Sequence, residues 1–206
     1  SARMTVVPLP AATHTAARMR PADARDTDTD ESLMRAWQRG DALAFDRLYA
    51  RHRGGVFRYL LRHCRDHGRA EELHQDVWLK VVNARSGWRE TARFTTWLYT
   101  VARHRLIDHW RAQAPQRVVS LDEEDAQHAP APDDPAHAAG AQQDGARIIA
   151  ALAALPGAQR DAFLLHVEGG LAVAEIARLA QTSPETIKSR LRYAYAKLRS
   201  ALGSLQ

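Results

Sequence analysis

Between residues 30 and 203 the apolar residues recur at intervals of three and four, and no stretch alternates with period two for long enough to make a strand. In "DALAFDRLYARH" Phe45, Leu48 and Tyr49 fall on one side of a helix behind an Asp41 cap, and "AEELHQDVWLKVV" repeats the pattern with Leu73, Val77 and Val81. "RFTTWLYTVARHRLIDHWRAQ" does so with Phe94, Leu98, Val101 and Ala102. Further along, Ile148, Leu152 and Leu155 mark one helix, and Phe163, Leu164 and Val167 another that Gly169 and Gly170 close. Val173, Ile176 and Leu179 give a short third. The last helix carries Ile187, Leu191, Ala194 and Leu198 on one side, with Ser183 as N-cap and Pro184 at its first position. The expected class is all-α.

The pattern breaks once. "SLDEEDAQHAPAPDDPAHAAGAQQDG", residues 120–145, holds seven acids, three prolines and no Lys or Arg, the composition of a solvated tether. The chain therefore reads as two small helical domains, 30–113 and 145–206, joined by a flexible acidic linker over 114–144. Residues 1–29 show no useful periodicity and are expected to stay outside the folded domains, the three residues before Met4 reading as an appended stretch.

The last two helices, joined through Gln181, Thr182 and Ser183, have the spacing of a helix-turn-helix. Opposite the apolar seam lie Glu185, Ser189, Arg192 and Tyr193, flanked by Thr186, Lys188 and Arg190. In such a motif the first turns of the second helix enter a DNA major groove, where Arg and Lys bridge guanine acceptors or phosphates and Ser, Thr and Glu read base edges. Ser189 and Arg190 are expected near bases, and Lys197 and Arg199 near phosphate or solvent. A surface helix that merely needs a polar side would share the pattern.

Charge strengthens the nucleic-acid reading. The 206 residues carry a net +5, and with only Lys80, Lys188 and Lys197 as lysines, nearly all of the 29 basic residues are arginines. The single cysteine, Cys64, excludes an internal disulfide framework. No apolar run approaches the ~20 residues of a membrane span, so membrane insertion is not expected and the cytoplasm is the expected compartment.

In the first domain, Thr96, Tyr99, Arg103 and Trp110 form a second stripe on their helix, in which rings and a guanidinium could stack unpaired bases and track a backbone. Ordinary packing of those aromatics is the alternative. The preceding "NARSGWRETAR", residues 83–93, with Gly87, Trp88 and three arginines, could accept a base turned out of the duplex.

Taken together, "AEELHQDVWLKVV", "FTTWLYTVARHRLIDHWR", the acidic linker and "IARLAQTSPETIKSRLRYAYAKLR" resemble an extracytoplasmic-function (ECF) sigma factor, over about residues 30–112 and 145–203. The resemblance implies a region 2 domain that binds core RNA polymerase at the beta-prime clamp and captures the melted minus-ten strand. It also implies a region 4 domain that reads the duplex minus-thirty-five element and meets the beta flap, with an anti-sigma factor as a further partner. It puts Glu72, Gln75, Asp76, Trp78, Leu79 and Lys80 in the clamp-binding helix. Asn83, Arg85, Ser86, Trp88 and Arg89 would belong to a base-capturing loop running to Arg93, and Arg93, Thr96, Trp97, Arg103, His104 and Asp108 would line the melted strand, the family often having Asn where this chain has His104. Pro184, Glu185, Thr186, Lys188, Ser189, Arg190, Arg192 and Tyr193 would meet the duplex. The family's linker threads the polymerase cleft. Neither the middle domain of larger sigma factors nor an N-terminal acidic autoinhibitory domain is visible.

Catalysis is not expected of the chain itself: there is no phosphate-cradling glycine loop, nucleophile elbow or paired carboxylate site. The groups His63, Cys64, His67, His74 and His104, Asp108, His109 fit no standard zinc spacing, so no metal or other cofactor is expected. Two rivals remain. A dimeric, autonomous helix-turn-helix regulator needs only residues 145–203, and a metal-dependent helical enzyme would carry stoichiometric metal.

Overall fold

Side-chain caps set where several of the helices begin. The computed structural model describes residues 28–113 and 141–203, and among these are eight helices and no strand. Segment 1–27 and linker residues 114–140 lie outside the described residues. The first four helices are α1 Asp30–Gln38, α2 Ala42–Cys64, α3 His67–Asn83 and α4 Phe94–Gln113. The other four are α5 Ala141–Ala153, α6 Gly157–Val167, α7 Val173–Leu179 and α8 Pro184–Gly203. Thr29 caps α1 by accepting from the Ser32 amide at 3.1 Å, Asp41 caps α2 from Leu43 at 3.0 Å, and Asp66 caps α3 from Arg69 at 2.7 Å. Ser183 does the same for α8 through the Thr186 amide at 3.1 Å. Helix α5 starts ahead of the boundary expected at 145.

The seams read from periodicity point inward. Leu48, Leu73, Val77, Val81, Phe94, Leu98 and Ala102 are buried in the α1–α4 unit, with Phe45, Tyr49 and Val101 half-buried against them. In the α5–α8 unit Leu152, Leu155, Leu164, Ile176, Ile187, Leu191, Ala194 and Leu198 are buried. Val167 departs from the expectation at 52% exposed: it is the last residue of α6, whose inward side is taken by Ala158, Asp161, Ala162 and Leu165.

The two units also touch. One cluster of buried side chains runs without a break from α1–α4 into α6, α7 and the first turns of α8. Contact is close because α2 carries Gly55 in its interior, where a Cβ would stand 3.1 Å from the Glu168 carbonyl oxygen and 2.8 Å from the Tyr99 hydroxyl. The carboxyl end of α5 is closed by side chains from elsewhere. Arg160 of α6 donates to the carbonyls of Leu152, Ala153 and Leu155 at 2.7–3.0 Å, Arg65 also reaches Ala153, and Lys197 of α8 donates to Ala154 at 3.0 Å.

Candidate nucleic-acid interface

Helix α8 separates its two sides cleanly. Ile187, Leu191, Ala194 and Leu198 are buried, while Pro184, Glu185, Lys188, Arg192 and Tyr193 are exposed and Thr186, Ser189 and Arg190 half-buried. The turn from α7 is made by Gln181, which takes a left-handed backbone (φ 54°) and lets the Thr182 amide return to the Ala177 carbonyl at 3.0 Å. Arg192 lies over its neighbour's ring, 5.3 Å from the Tyr193 centroid, giving a cation and an aromatic face on one exposed patch. Lys197, expected toward phosphate or solvent, is exposed, and its Nζ also donates to the Ala154 carbonyl at the end of α5 at 3.0 Å.

On α3, Glu72, Gln75, Leu79 and Lys80 are exposed, and Leu79 at 58% with Val82 beside it makes an apolar spot on a charged helix. The other two residues of the expected set are engaged inside the fold. Asp76 is ion-paired with Arg105 of α4. Trp78 is buried edge-on against Tyr49 (centroids 4.8 Å apart), its Nε1 donating to His74 Nε2 at 3.0 Å. The same Nε2 stands 3.0 Å from the Arg53 carbonyl, so it either accepts from Trp78 when unprotonated or donates to Arg53 when protonated; burial lowers the His74 pKa and the Arg53 carbonyl opposes it.

The 83–93 segment is less open than its composition implies. Asn83, Ser86, Arg89 and Arg93 are exposed, but Arg85 packs over the Trp37 ring at 5.4 Å. Trp88 is only 6% exposed and belongs to the core. Gln38 holds this turn by donating to the carbonyls of Arg85 and Trp88 at 2.8 and 3.0 Å. A ring expected to await a flipped base is thus part of the packing, the commoner fate of a large apolar surface that can leave water.

Helix α4 presents two stripes. His104 and Asp108 face solvent, and Trp97 is half-buried against Phe94 at 5.8 Å. Arg93, Thr96, Tyr99 and Arg103 face the α5–α8 unit. Arg103 Nε donates to Asp161 at 2.9 Å, the Thr96 hydroxyl donates to Glu175, and Arg93 lies 3.4 Å from the same Glu175 carboxylate. Tyr99 donates to the Glu168 carbonyl at 2.8 Å, and Arg58 of α2 grips the Glu168 carboxylate with Nε and Nη2 at 2.9 and 2.8 Å. For Tyr99 the packing alternative therefore holds, and burial pushes its hydroxyl pKa up.

Asp161 is the centre of this contact. It is 3% exposed and also accepts from the Tyr59 hydroxyl at 2.8 Å. Burial works to raise its pKa, but the neighbouring His63 and the Arg103 guanidinium more than offset that and hold the carboxyl below its usual value. His63 Nε2 is 3.5 Å from it, at the long limit of a hydrogen bond, and burial lowers the imidazole pKa more than Asp161 raises it. Glu175 is held low as well: burial raises it, while Thr96, the Ala172 amide and Arg93 lower it.

Sequence reasoning missed Tyr59, Asp161, Glu168 and Glu175. One signal was available, the pair Gly54–Gly55 inside a strongly helical stretch, which weakens a helix and so points to a close backbone neighbour.

Comparison with known proteins falls in line with this geometry. Residues 48–116 match the family Sigma-70 region 2, and residues 145–198 match Sigma-70, region 4. The chain is 31% identical to the ECF RNA polymerase sigma factor SigK of Mycobacterium tuberculosis over 179 residues, covering 84% of this chain and 92% of that protein. It is likewise 31% identical over 176 residues to the RNA polymerase sigma factor CarQ of Myxococcus xanthus, covering 84% and 97%. Among solved structures, the sigma factor RpoE in complex with the anti-sigma factor NepR from Bartonella quintana superposes with a TM-score of 0.60 at 21% identity, covering 79% of this chain and 98% of that one. CnrH in complex with the cytosolic domain of CnrY gives 0.61 at 20% identity, covering 87% and 100%. At these identities the structural likeness is one of fold.

Proposed function

The chain belongs to the ECF RNA polymerase sigma factors, which bind core polymerase and direct promoter-specific transcription initiation, and from that premise we propose how its surfaces divide the work. Residues 30–113 hold the polymerase and the melted strand, 145–206 hold the duplex upstream element, and the acidic 114–144 segment joins them through the polymerase cleft. Glu72, Gln75, Leu79 and Lys80 form the outward clamp-binding patch of α3, with Asp76 at its edge and Trp78 stiffening it from beneath.

The melted minus-ten strand runs along α4 over Arg93, Thr96, Trp97, Arg103, His104 and Asp108, and Asn83, Ser86 and Arg89 flank its entry. Trp88 and Arg85 act there by holding the turn. On α8, Pro184, Glu185, Thr186, Lys188, Ser189, Arg190, Arg192 and Tyr193 meet the duplex, the half-buried residues nearest the bases and Lys188 and Arg192 nearest the phosphates.

The observation that carries this reading is the α8 surface: an exposed, mainly basic side set against a fully buried seam, presented by a tight turn from α7. A dimeric regulator would use that surface too, but it leaves the exposed Leu79 patch of α3 without a task. Catalysis belongs to the polymerase, and no helix among the described residues is long and apolar enough to cross a membrane. Work alongside the polymerase places the protein in the cytoplasm, and its structural relatives' complexes point to an anti-sigma factor as a regulator. The test is reconstitution: the chain and core polymerase together start transcription from a cognate promoter that neither supports alone, and a chain that binds duplex DNA but never core polymerase would sink the assignment.

A further inference from the structure

We propose that α6 and α7 form a closing arm over the strand-reading side of α4, in which Asp161 and Glu175 occupy Arg103, Arg93 and Thr96 until single-stranded DNA takes those contacts over. This rests on the assignment of those three side chains to the melted strand. Each of them has its polar atoms directed at a carboxylate of the second unit, and Arg103 also donates to the Leu179 carbonyl at 3.4 Å. A carboxylate offers a guanidinium or hydroxyl the same anionic oxygens that a phosphodiester does. A phosphodiester and these carboxylates would compete for the same guanidinium and hydroxyl groups, most directly for Arg103 Nε and the Thr96 hydroxyl.

The contact is built rather than incidental. Asp161 is buried and accepts from Tyr59 as well as Arg103. Gly55 accepts the weakness that glycine brings to a helix interior, and in return the Glu168 carbonyl approaches α2 closely enough to take the Tyr99 hydroxyl at 2.8 Å. Gly54, next to it, faces Nη1 of Arg58, 3.2 Å from a would-be Cβ, a side-chain tip whose other nitrogens hold the Glu168 carboxylate. The two positions differ in what they meet: Gly54→Ala and Gly55→Ala both favour α2, but the first presses on one side-chain tip, whereas the second presses on the Tyr99 hydroxyl and the Glu168 backbone carbonyl that it holds, the two atoms that join α4 to the arm.

The experiment uses the full chain with a fluorescent donor and acceptor on exposed surfaces of α3 and α8, and a short single-stranded oligonucleotide carrying a minus-ten sequence. Wild type and Gly54→Ala are expected to show high energy transfer that falls as oligonucleotide is added. Gly55→Ala and Asp161→Asn are expected to start with lower transfer. Apparent affinity scales with the fraction of competent molecules, so raising the open fraction from about 1% to about 10% tightens oligonucleotide binding about tenfold. Should Asp161→Asn misfold, Gly55→Ala alone decides. A Gly55→Ala chain that stays closed, or that opens without any gain in oligonucleotide affinity, overturns the closing arm. Adding Arg103→Ala to the opened chain tells the two layers apart: loss of the gained affinity supports both, whereas an open chain indifferent to Arg103 shows that the strand-reading assignment beneath the proposal is at fault.

Discussion

Arg103 on α4 and Asp161 on α6 meet at 2.9 Å across the boundary between the two helical units, and neither side chain retains more than a small part of its surface in water. Ion pairs this deep contribute little net stability as a pair, yet removing one partner leaves a charge stranded, at about 3–5 kcal/mol. The pair therefore works as a conditional contact, firm while both members are present and unstable as soon as something else takes one of them.

Acid should loosen it. His63 faces Asp161 from α2, with Tyr59 on its own helix, Trp110 of α4 at 5.9 Å, and the Arg103 and Arg160 cations nearby. Its pKa is lowered by burial, so docking favours the neutral ring and undocking returns it toward the ordinary 6.5. A depressed native pKa gives stability that is complete above the ordinary value and is lost as pH falls; Asp161 acts in the same direction, but only below its own ordinary 3.8. Energy transfer between α3 and α8 labels should drop between about pH 7 and about pH 5.5, with a limiting slope of about 1.4 kcal/mol per pH unit for one proton. His63→Gln should flatten that profile; an equally steep profile in the variant would assign the titration elsewhere.

Trp88→Ala should behave as a core mutation. Deleting a buried indole costs about 3–5 kcal/mol, so the urea midpoint falls markedly. Once activity is normalised to the folded fraction, pre-melted and duplex templates should suffer alike. A selective loss on duplex templates in a stably folded variant would restore the ring to base capture.

For the polymerase contact, Glu72→Arg combined with Leu79→Ala is the informative variant. Both residues are exposed, so stability should change by no more than about 0.5 kcal/mol. Core-polymerase pull-down should weaken by about tenfold or more, the scale of one lost interface anchor. Asp76 is better left alone, since reversing it also breaks its pair with Arg105. Undiminished pull-down by the folded variant would move the clamp contact off α3.

Three substitutions on α8 should separate by kind. Arg190→Ala should cost about 1–3 kcal/mol and relax preference at one or two promoter positions, whereas Arg192→Ala should weaken all sequences alike and reduce the salt slope by about one unit. Lys197→Ala should leave the salt slope unchanged and lower stability by about 1 kcal/mol through the lost bond to Ala154. Anisotropy titrations of holoenzyme against upstream-element variants at several salt concentrations read all three, and a shift of the Lys197 variant's slope equal to that of Arg192 would place both on phosphate.

What the sequence made legible was whatever depends on neighbours along one helix. The Ile187–Leu191–Leu198 seam, the Asp41 and Ser183 caps and the Thr96–Arg103 stripe all follow from a 3.6-residue period and local capping. The partner of that stripe did not follow, because Asp161 and Glu175 arrive from beyond the linker and nothing local distinguishes a carboxylate that docks from one that faces water. The burial of Trp78 and Trp88 was not legible for a related reason: composition marks a segment as loop-like or charged, and a resemblance assigns a helix, while burial of one ring is decided by the α1–α4 core around it, including Tyr49 and Phe45 against Trp78.

The carboxyl end of α5 has a further consequence, for the order in which the molecule can be made. Its last carbonyls are served by Arg65, which leaves the ribosome before them, by Arg160, which follows shortly after, and by Lys197, which follows only with α8. During synthesis α5 therefore acquires its terminus in stages, first against the finished α1–α4 unit and later against α8. A nascent chain from which α6 has emerged should already show slowed protease cleavage across Leu152–Leu155, and the emergence of α8 should slow it further by adding the bond to Ala154.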